Sequence, residues 1–475
     1  MTLMQKRLLG LLVTLILGGG AIVIAFWQTS NSEQQEQALN AAAKVFSFKD
    51  SNSIKEISLT NHNGNFNLVH EKTADGNNYW SLITPLKTKA DNKTITSIIN
   101  ELLSLENKNK KNSLTNNKGV VGDRNIFGLN SPRFRVKLSD TQGKQETLLV
   151  GIKNSFDDSL YVERTGSEKI FMVASTLEYQ LDQDLFKLRN KKLLTFNKND
   201  IKKITVTELD KTKYICEQVD TNNWRMLQPL NAIADNETIS GILTELANVT
   251  ATTFIAEQAT PEKLKLTGLD KPKLAVTLSL NHGFPKQLLF SEVKNKDDTK
   301  YYAMISGDNP ILEINGTTVF EKLLVEASTL RDLRVLNFTR SQVQTLELIS
   351  ADKTLTFLRS DKNGIDDWNM ILPEKAKVQD ATLTDLLYRL WSLKATKVVT
   401  DKATQTDIKK YDLARPALRI NLKAKNGTIV DAMVFGKTEN AQQYVMRADS
   451  NRIDLIEASF STEISLDPKT YKEKQ

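Results

Sequence analysis

Apolar and polar residues alternate in short runs just ahead of three tryptophans. In the first copy, Ile54, Ile57 and Leu59 are followed by Phe66 and Leu68. A period of two over this length is typical of a half-buried strand, and two such runs in succession predict an antiparallel hairpin. The last copy has the same pattern at Val343, Leu346, Leu348, Leu355 and Phe357.

A helical spacing of apolar residues follows each tryptophan. These residues are Ile95, Ile98, Ile99, Leu102 and Leu103; Ile239, Ile242, Leu243 and Leu246; and Leu383, Leu386, Leu387, Leu390 and Trp391. Recurrence every three or four positions predicts an amphipathic helix with one apolar face. Asp91 and Asp235 are placed as N-caps of the first two helices, and the candidate cap of the third, Asp380, is shifted by one position.

The tryptophans mark a repeat. Trp80, Trp224 and Trp368 are 144 residues apart (224 − 80 and 368 − 224). Three prolines keep the same interval, namely Pro85, Pro229 and Pro373. Each tryptophan stands near the end of a strand-like run and is followed by an apolar residue. We therefore favour a place in the core between helix and sheet over an exposed binding role.

A second motif recurs downstream of each predicted helix. The stretches FGLNSP, TGLDKP and YDLARP lie at 127–132, 267–272 and 411–416. Each predicts a turn that enters another strand pair. The strand pair contains Gly151 in the first copy and Ser291 in the second, so the copies differ there. A final strand is predicted to begin near Tyr161, Tyr301 and Tyr444.

The first two copies close with a leucine followed by an arginine. These pairs are Leu188 with Arg189, and Leu330 with Arg331. Each arginine is a candidate to cap helix carbonyls or to form an ion pair. The third copy lacks this closing segment and ends in a charged tail over residues 469–475.

These elements predict an α+β fold in three tandem repeats, each a mostly antiparallel sheet with one amphipathic helix packed on it. A unit of about 140 residues can bury a core of its own. The predicted boundaries are 1–28 for a cytoplasmic tip and transmembrane anchor, 29–50 for a linker, and 51–199, 200–341 and 342–475 for the repeats. The short joins between repeats imply semi-rigid packing.

The N-terminal region carries a long apolar run. Leu8 to Trp27 gives about 20 residues without a charge, enough to cross a hydrocarbon core of roughly 30 Å. Lys6 and Arg7 precede it, and the next basic residue is Lys44. The positive-inside rule then predicts a single-pass protein of a bacterial inner membrane, with a cytoplasmic N-terminus and an extracytoplasmic bulk. A cleaved signal peptide is the alternative, but no A-x-A-like site closes the run.

Charge and cysteine content narrow the function classes. The net charge of +7 arises from 64 basic and 57 acidic residues, a modest bias that does not indicate nucleic-acid binding. The densest basic stretch is Lys108, Lys110, Lys111 and Lys118, for which a solvated loop is preferred over contact with anionic lipid or wall polymer. Cys216 is the single cysteine, which excludes an intramolecular disulfide.

Residue patterns typical of catalysis or metal binding are absent from the sequence. His62, His70 and His282 have no partner at metal-ligand or triad spacing, and no nucleophile elbow, phosphate loop or dinucleotide fingerprint occurs. Two acidic pairs, Asp157-Asp158 and Asp297-Asp298, could contribute to a Ca²⁺ site but fall short of the roughly six oxygens it needs. We therefore predict no catalytic residue, no cofactor and no metal, and expect a protein that is not an enzyme.

In combination, the W-x-L-x-x-P-L, A-D-x-x-T-I, G-L-x-x-P and L-R patterns resemble a bacterial family known as domain of unknown function forty-three-forty. The resemblance covers nearly all of the chain beyond the anchor, in three copies. Members typically have an N-terminal anchor and are often encoded beside gliding-type ABC exporters. The resemblance thus implies an accessory subunit of an envelope ABC transport system, and it supplies no catalytic residues.

Two functions from different classes follow as hypotheses. The leading one is a non-enzymatic extracytoplasmic scaffold or binding subunit that works with the membrane subunits of an ABC transporter. The alternative is an envelope protein that binds cell-wall glycan or lipid in grooves between repeats, which exposed aromatic residues at such a groove would favour. An uncharacterised hydrolase would need an acid/base cluster that the sequence does not reveal.

Overall fold

The computed structural model describes residues 43–473, except for 74–75, 109–123, 168, 222, 297, 309, 363–364 and 449. The predicted anchor, Leu8 to Trp27, lies outside the described residues. Among the described helices, none has the length and apolar character needed to cross a bilayer.

The first sheet has eight strands in the order β4-β3-β2-β1-β5-β6-β7-β8. Its elements along the chain are β1 (Ile54–Asn61), β2 (Gly64–Lys72), β3 (Asn78–Thr84), β4 (Thr88–Lys89), α1 (Asn92–Ser104), β5 (Phe134–Asp140), β6 (Gln145–Lys153), β7 (Ser159–Arg164), β8 (Ile170–Ala174), α2 (Thr176–Leu181) and α3 (Leu185–Leu188). A 3₁₀ turn, Ser51–Ser53, precedes β1.

The second sheet has nine strands. Its elements are β9 (Ile201–Glu208), β10 (Lys211–Gln218), β11 (Trp224–Gln228), β12 (Ala232–Ile233), α4 (Asn236–Asn248), β13 (Ala251–Ala256), α5 (Pro261–Thr267), β14 (Leu274–Leu280), β15 (Lys286–Lys294), β16 (Thr299–Ile305), β17 (Ile311–Ile314), α6 (Thr317–Leu323) and α7 (Ala327–Leu330). Six strands run in the order β12-β11-β10-β9-β14-β15 and three in the order β16-β17-β13.

The third sheet, also of nine strands, has the order β21-β20-β19-β18-β23-β24-β25-β26-β22. Its elements are β18 (Thr345–Ile349), β19 (Thr354–Lys362), β20 (Ile365–Leu372), β21 (Ala376–Lys377), α8 (Asp380–Ser392), β22 (Lys397–Thr400), α9 (Gln405–Lys410), β23 (Leu418–Lys423), β24 (Ile429–Glu439), β25 (Gln442–Arg447), β26 (Ile453–Glu457) and α10 (Ser459–Thr462).

The predicted hairpins are confirmed. β1 pairs antiparallel with β2, with Ile57 opposite Leu68 and Leu59 opposite Phe66. β18 and β19 pair in the same way. β1 also pairs antiparallel with β5, so the hairpin enters the middle of the sheet and is not at its edge.

The predicted helices cover their sheets. The buried residues of α1 are Ile95, Ile98, Ile99 and Leu102, and they share one core cluster with sheet residues such as Phe66 and Val136. Helix α8 buries the equivalent leucines against the third sheet. The prediction for Trp391 was wrong, because this residue of the predicted apolar face is 44% exposed.

The structure adds strands that the apolar pattern did not predict. β8, β17 and β26 follow the strands at Tyr161, Tyr301 and Tyr444, so the predicted final strand is the last but one. β13 and β22 pair antiparallel with β17 and β26. They were missed because their sequences, ATTFIA and KVVT, are short and do not alternate apolar with polar residues.

Two segments differ from the expectations for the chain ends. Ala43, Val45, Phe46 and Phe48, placed by sequence in a linker, are buried, and the last three belong to the first core. At the other end, the third copy does have a closing segment. Tyr471 is buried in the third core, which an alternating apolar pattern could not indicate because the tail is short and rich in charge.

The described chain forms two compact units. One takes the described residues up to Thr195 with Ala247–Asp270 and Ser291–Gly316, and the other takes Phe196–Leu246, Lys271–Phe290 and the described residues from Thr317 onward. Each unit therefore holds one whole sheet, the first or the third, together with part of the second repeat.

Candidate functional site at the joins between repeats

The residues repeated before each helix connect that helix to the tryptophan strand. Asp91 is the N-cap of α1, and its side chain accepts a hydrogen bond from the Thr94 N–H at 2.9 Å. The next residue, Asn92, accepts from the Trp80 N–H at 2.8 Å. The first bond satisfies a free donor of the helix end, and the second fixes the strand beside it.

The second and third copies keep the bond to the tryptophan. Asn236 accepts from the Trp224 N–H at 3.0 Å, and Asp380 accepts from the Trp368 N–H at 2.8 Å. Asp380 is the predicted N-cap of α8, and this prediction was wrong. The N-cap is Gln379, whose side chain makes no capping hydrogen bond. In the second copy Asp235 caps as expected, with the Thr238 N–H at 2.7 Å.

All three repeated tryptophans lie in the core, with exposed fractions of 5%, 8% and 0% for Trp80, Trp224 and Trp368. Trp80 also stacks on His70 at 4.9 Å between ring centroids. Burial lowers the pKa of His70, so the imidazole is an uncharged stacking partner at neutral pH. The peptide bonds before Pro85, Pro229 and Pro373 are cis.

The closing segment of each repeat binds beside the helix N-terminus. Asp91 donates its N–H to the Leu188 carbonyl, and Asp235 donates to Leu330, both at 2.8 Å. Gln379 donates to Tyr471 at 2.8 Å in the same way. The pair Tyr471 and Lys472 thus takes in the third copy the place of leucine and arginine in the other two.

From there the chain enters the next repeat through a short two-stranded contact, which we call a join. In the first join, the Leu193 N–H donates to the Val249 carbonyl at 3.0 Å, and the Ala251 N–H donates to Lys191 at 2.8 Å. The second join has equivalent bonds of 3.0 and 2.7 Å, from Val335 to Leu393 and from Ala395 to Leu333. The first join lies within the first unit, and the second within the other.

The arginine of the closing segment crosses the first join. Two guanidinium nitrogens of Arg189 donate to the two carboxylate oxygens of Glu257 at 2.6 and 3.2 Å. The guanidinium lies over the Phe254 ring at 3.4 Å from its centroid. The Arg189 side chain is 3% exposed, so this paired cation is almost fully buried.

Arg331 makes the same two-pronged ion pair across the second join, to Asp401, with one of its bonds at 3.1 Å. Glu257 and Asp401 are 144 residues apart (401 − 257), the interval of the tryptophans. The two joins therefore have their acid at the same position of the repeat. Of the two roles predicted for Arg189 and Arg331, the structure shows the ion pair.

Further charges fill the second join. The Nε of Arg452 donates to both carboxylate oxygens of Asp454 at 2.8 and 2.9 Å. Its terminal nitrogens donate to the backbone carbonyls of Asp332 and Arg334 at 3.2 and 3.1 Å. One arginine thus binds a buried acid of the third repeat and the segment that arrives from the second.

A cavity of about 290 Å³ lies in this network. Its lining includes five arginines and three aspartates: Arg225, Arg331, Arg334, Arg447, Arg452, Asp332, Asp401 and Asp454. Burial raises the pKa of Asp454, which Arg452 partly opposes. The hydrogen bonds that Arg334 donates to Asp332 raise the pKa of the Arg334 guanidinium, which therefore stays charged.

The model of the family described as domain of unknown function (DUF4340) matches residues 80–223, 224–367 and 368–475, which together are most of the chain. The chain belongs to this family. Each matched copy begins at one of the repeated tryptophans, so the DUF4340 signature coincides with the strand, helix and join contacts described above. No curated protein and no solved structure matches.

One position of the DUF4340 repeats holds glycine in the first and third copies and serine in the second, and its contacts with the preceding turn explain both. A Cβ at Gly151 would overlap the Phe127 carbonyl oxygen of the preceding turn, and one at Gly436 would overlap that of Tyr411. Ser291 has its side chain within hydrogen-bonding reach of the Thr267 carbonyl and donates to it. In the first and third copies the glycine backbone therefore contacts the turn directly, whereas in the second copy the serine hydroxyl makes the contact.

The acidic pair of the first DUF4340 repeat is occupied by local partners. Asp157 accepts from the Ser159 hydroxyl at 2.6 Å, and Asp158 pairs with Lys153 at 2.5 Å. These hydrogen bonds lower the pKa of both carboxyls. Asp297 lies outside the described residues. Across the part of the chain that the structure describes, no three metal-binding side chains form a cluster.

The helix of the third DUF4340 repeat carries a groove with exposed aromatic rings. Tyr388 and Trp391 are 64% and 44% exposed, with ring centroids 6.0 Å apart. They line a cavity of about 610 Å³ together with Phe338, Arg340 and Asp385. In the second repeat the equivalent helix positions hold Thr244 and Ala247. The sequence signal was available, but helical spacing assigned Trp391 to the core.

Proposed function

We propose that this DUF4340 protein is a non-enzymatic scaffold subunit, anchored in a bacterial membrane and placed outside the cytoplasm, that works with an envelope ABC transporter. The observation that carries the proposal is the use of the repeated residues. The aspartate, the asparagine, the tryptophan and the arginine each hold a helix, a strand or a join. Selection for such contacts suits a protein that keeps repeats in fixed geometry and presents their surfaces.

The joins support the scaffold role in a second way. A buried arginine with a two-pronged carboxylate pair fixes orientation as well as distance, because the planar guanidinium accepts only one arrangement of partners. Both joins combine this pair with two backbone hydrogen bonds. Each join thus restricts the repeats on either side of it.

Membrane attachment rests on the apolar run from Leu8 to Trp27. Charged residues at the centre of a membrane helix cost about 2.5–3.5 kcal/mol each. Replacing Leu12 and Leu15 by arginine should therefore release the chain from the membrane fraction while leaving residues 43–473 unchanged. This double variant is the matched control for the partner experiment.

The partner experiment is affinity purification of the full chain from membranes in a mild detergent, followed by mass spectrometry. The expected result is co-recovery of the membrane subunit of an ABC transporter, lost in the Leu12→Arg, Leu15→Arg control. Recovery of the anchored chain with no transporter subunit, under conditions that keep other envelope complexes intact, would contradict the proposal.

A second candidate function is binding of a cell-wall glycan, and the Tyr388 and Trp391 groove favours it. Sugar rings stack on exposed aromatic faces, and Arg340 and Asp385 supply polar groups at the edge. Titration of the full chain with wall glycan fragments should change tryptophan fluorescence. Trp391→Ala should abolish the change, whereas Tyr179→Ala, at an exposed tyrosine elsewhere, should not. An unchanged signal in the Trp391→Ala variant would exclude this groove.

A further inference from the structure

The first repeat has an open groove at the position where the third repeat receives the preceding one. The groove has a volume of about 720 Å³ and includes Lys44, Lys49, Arg164 and Lys169 in its lining, with Phe48 and Phe171. None of its lining residues is acidic. We call it the cationic groove.

Strand register establishes that the two sites are equivalent. Val162 pairs with Phe171 as Val445 pairs with Asp454, which makes Arg164 equivalent to Arg447 and Lys169 equivalent to Arg452. Lys44 and Arg334 form the same isolated bridge at the start of their repeats, to Glu106 and Lys394.

One charge network is common to both sites. In the third repeat, Asp431 accepts from the Asn337 N–H at 2.7 Å and from Arg447 at 2.8 Å. In the first repeat, Glu146 accepts from the Ser47 N–H at 2.9 Å and lies 3.7 Å from Arg164. Glu146 also lies 3.3 Å from the Nζ of Lys144, so this carboxylate pairs with two cations and Arg164 is not an unpaired charge of the groove.

Two of the acids at the second join, Asp454 and Asp332, have no counterpart in the first repeat. Asp454 is replaced by Phe171, and Asp332, two residues before Arg334, corresponds in sequence to Ala42. Lys44 pairs with Glu106 at 3.1 Å, but Lys49 and Lys169 form no ion pair with any residue that the structure describes. The groove therefore keeps a cation at the positions of Arg334, Arg447 and Arg452 but lacks the acids that stand at Asp332 and Asp454.

We infer that the cationic groove binds the phosphate headgroups of anionic lipids in the membrane that carries the anchor. This inference rests on the anchor of the proposed function. The 15 residues between Trp27 and Ala43 (28–42) can span at most about 50 Å, the limit set by backbone geometry. The membrane surface is thus within reach, and lysine attraction to anionic lipid is strong only within a Debye length.

The experiment uses the full chain in nanodiscs, made either of phosphatidylcholine alone or with added phosphatidylglycerol. Acetylation of each lysine is followed by mass spectrometry. We expect phosphatidylglycerol to slow labelling of Lys49 and Lys169 by at least about threefold, with the effect lost at high salt. Lys286 and Lys425, exposed in other repeats, should react equally in both nanodiscs.

Charge reversal supplies the matched variants. Lys49→Glu should remove the protection of Lys169 in phosphatidylglycerol nanodiscs, whereas Lys286→Glu, with the same change in charge, should preserve it. Equal labelling of Lys49 and Lys169 in both lipids would overturn the inference. So would protection by inorganic phosphate in detergent, which indicates a soluble anion, or protection that appears only when a second protein co-purifies.

The outcome also separates this inference from the proposed function. If the chain enters the nanodiscs without protection of the groove, the lipid contact is wrong and the anchored scaffold stands. If the chain fails to enter them, the anchor is wrong and both proposals fall.

Discussion

The two joins share a backbone arrangement and differ in what fills it. The first places Arg189 over the Phe254 ring and opposite Glu257. The ring centroid of Phe186 lies 5.9 Å from that of Phe254. The second surrounds Arg331 with arginine and aspartate side chains and a cavity. The equivalents of Arg452 and Asp454 in the second repeat are Pro310 and Leu312. The comparison shows that the repeated hydrogen bonds and the Arg–acid pair define a join, while the remaining side chains set its polarity.

Arg452→Ala should give the largest loss of stability. It leaves the buried carboxylate of Asp454 without its cation and frees two backbone carbonyls, a change that costs about 4 kcal/mol. Urea unfolding of the full chain, monitored by amide exchange in the third repeat, measures this loss. The double variant Arg452→Met, Asp454→Leu imitates the first join and should restore most of it. A double variant as unstable as Arg452→Ala would refute the claim that apolar side chains can fill these two positions of the second join as they do in the first.

The loss in Arg452→Ala should depend on pH. Burial already raises the pKa of Asp454 above its ordinary 3.8, and removing Arg452 raises it further. The folded state then holds a proton more tightly than the unfolded chain, so stability falls as pH rises from about 3.8 through the folded pKa. The deficit relative to the parent chain should shrink on acidification. Asp454→Asn in the Arg452→Ala background should remove this dependence, and a deficit that grows with acid would contradict the account.

Replacing arginine by lysine should destabilise the two joins by different amounts. Lysine keeps the charge but loses the planar stacking and the two-pronged pair, so Arg189→Lys should cost about 2 kcal/mol and Arg331→Lys about 1 kcal/mol. Amide exchange at Ala251 and Ala395, whose N–H groups close the two joins, reports each loss. Phe254→Val should reduce the Arg189→Lys cost to that of Arg331→Lys. Equal costs with Phe254 present would show that the stacking contributes nothing.

A smaller effect is expected at the helix that receives the third closing segment. Gln379 is an N-cap without a side-chain bond, whereas Asp91 and Asp235 cap at the same place. Gln379→Asp should stabilise the third repeat by about 0.5–1 kcal/mol, measured as a shift in its urea midpoint. Gln379→Glu, whose longer side chain fits the cap poorly, is the control and should change little.

The periodic parts of the fold could be predicted from the sequence. The helix faces, the hairpins and the three repeats follow from local spacing, because Ile95, Ile98 and Leu102 can reach the sheet in only one way. The Asp91 and Asp235 caps follow from local chemistry. Strands β13 and β22 do not, because their place is set by pairing with strands some 60 residues later, as in Thr253 opposite Glu313.

The joins could be predicted in part. Arg189 and Arg331 stood out as repeated residues, but their partners lie 68 and 70 residues away, and neither acid is conspicuous alone. The shared interval of 144 between Glu257 and Asp401 was the available signal. The third closing segment was missed because Tyr471 and Lys472 replace leucine and arginine, and the equivalence shows only in backbone contacts: the bond to Gln379 and the bridge between Val378 and Lys472.

A double-mutant cycle on Arg331 and Asp401 tests the join most directly. Arg331→Ala, Asp401→Ala and the double variant are compared by the free energy of local opening at the Ala395 N–H, obtained from amide exchange. The account predicts a coupling of about 1–2 kcal/mol, since Arg331 is buried and Asp401 is half exposed. Additive effects, within about 0.3–0.5 kcal/mol, would contradict the claim that this pair holds the repeats together.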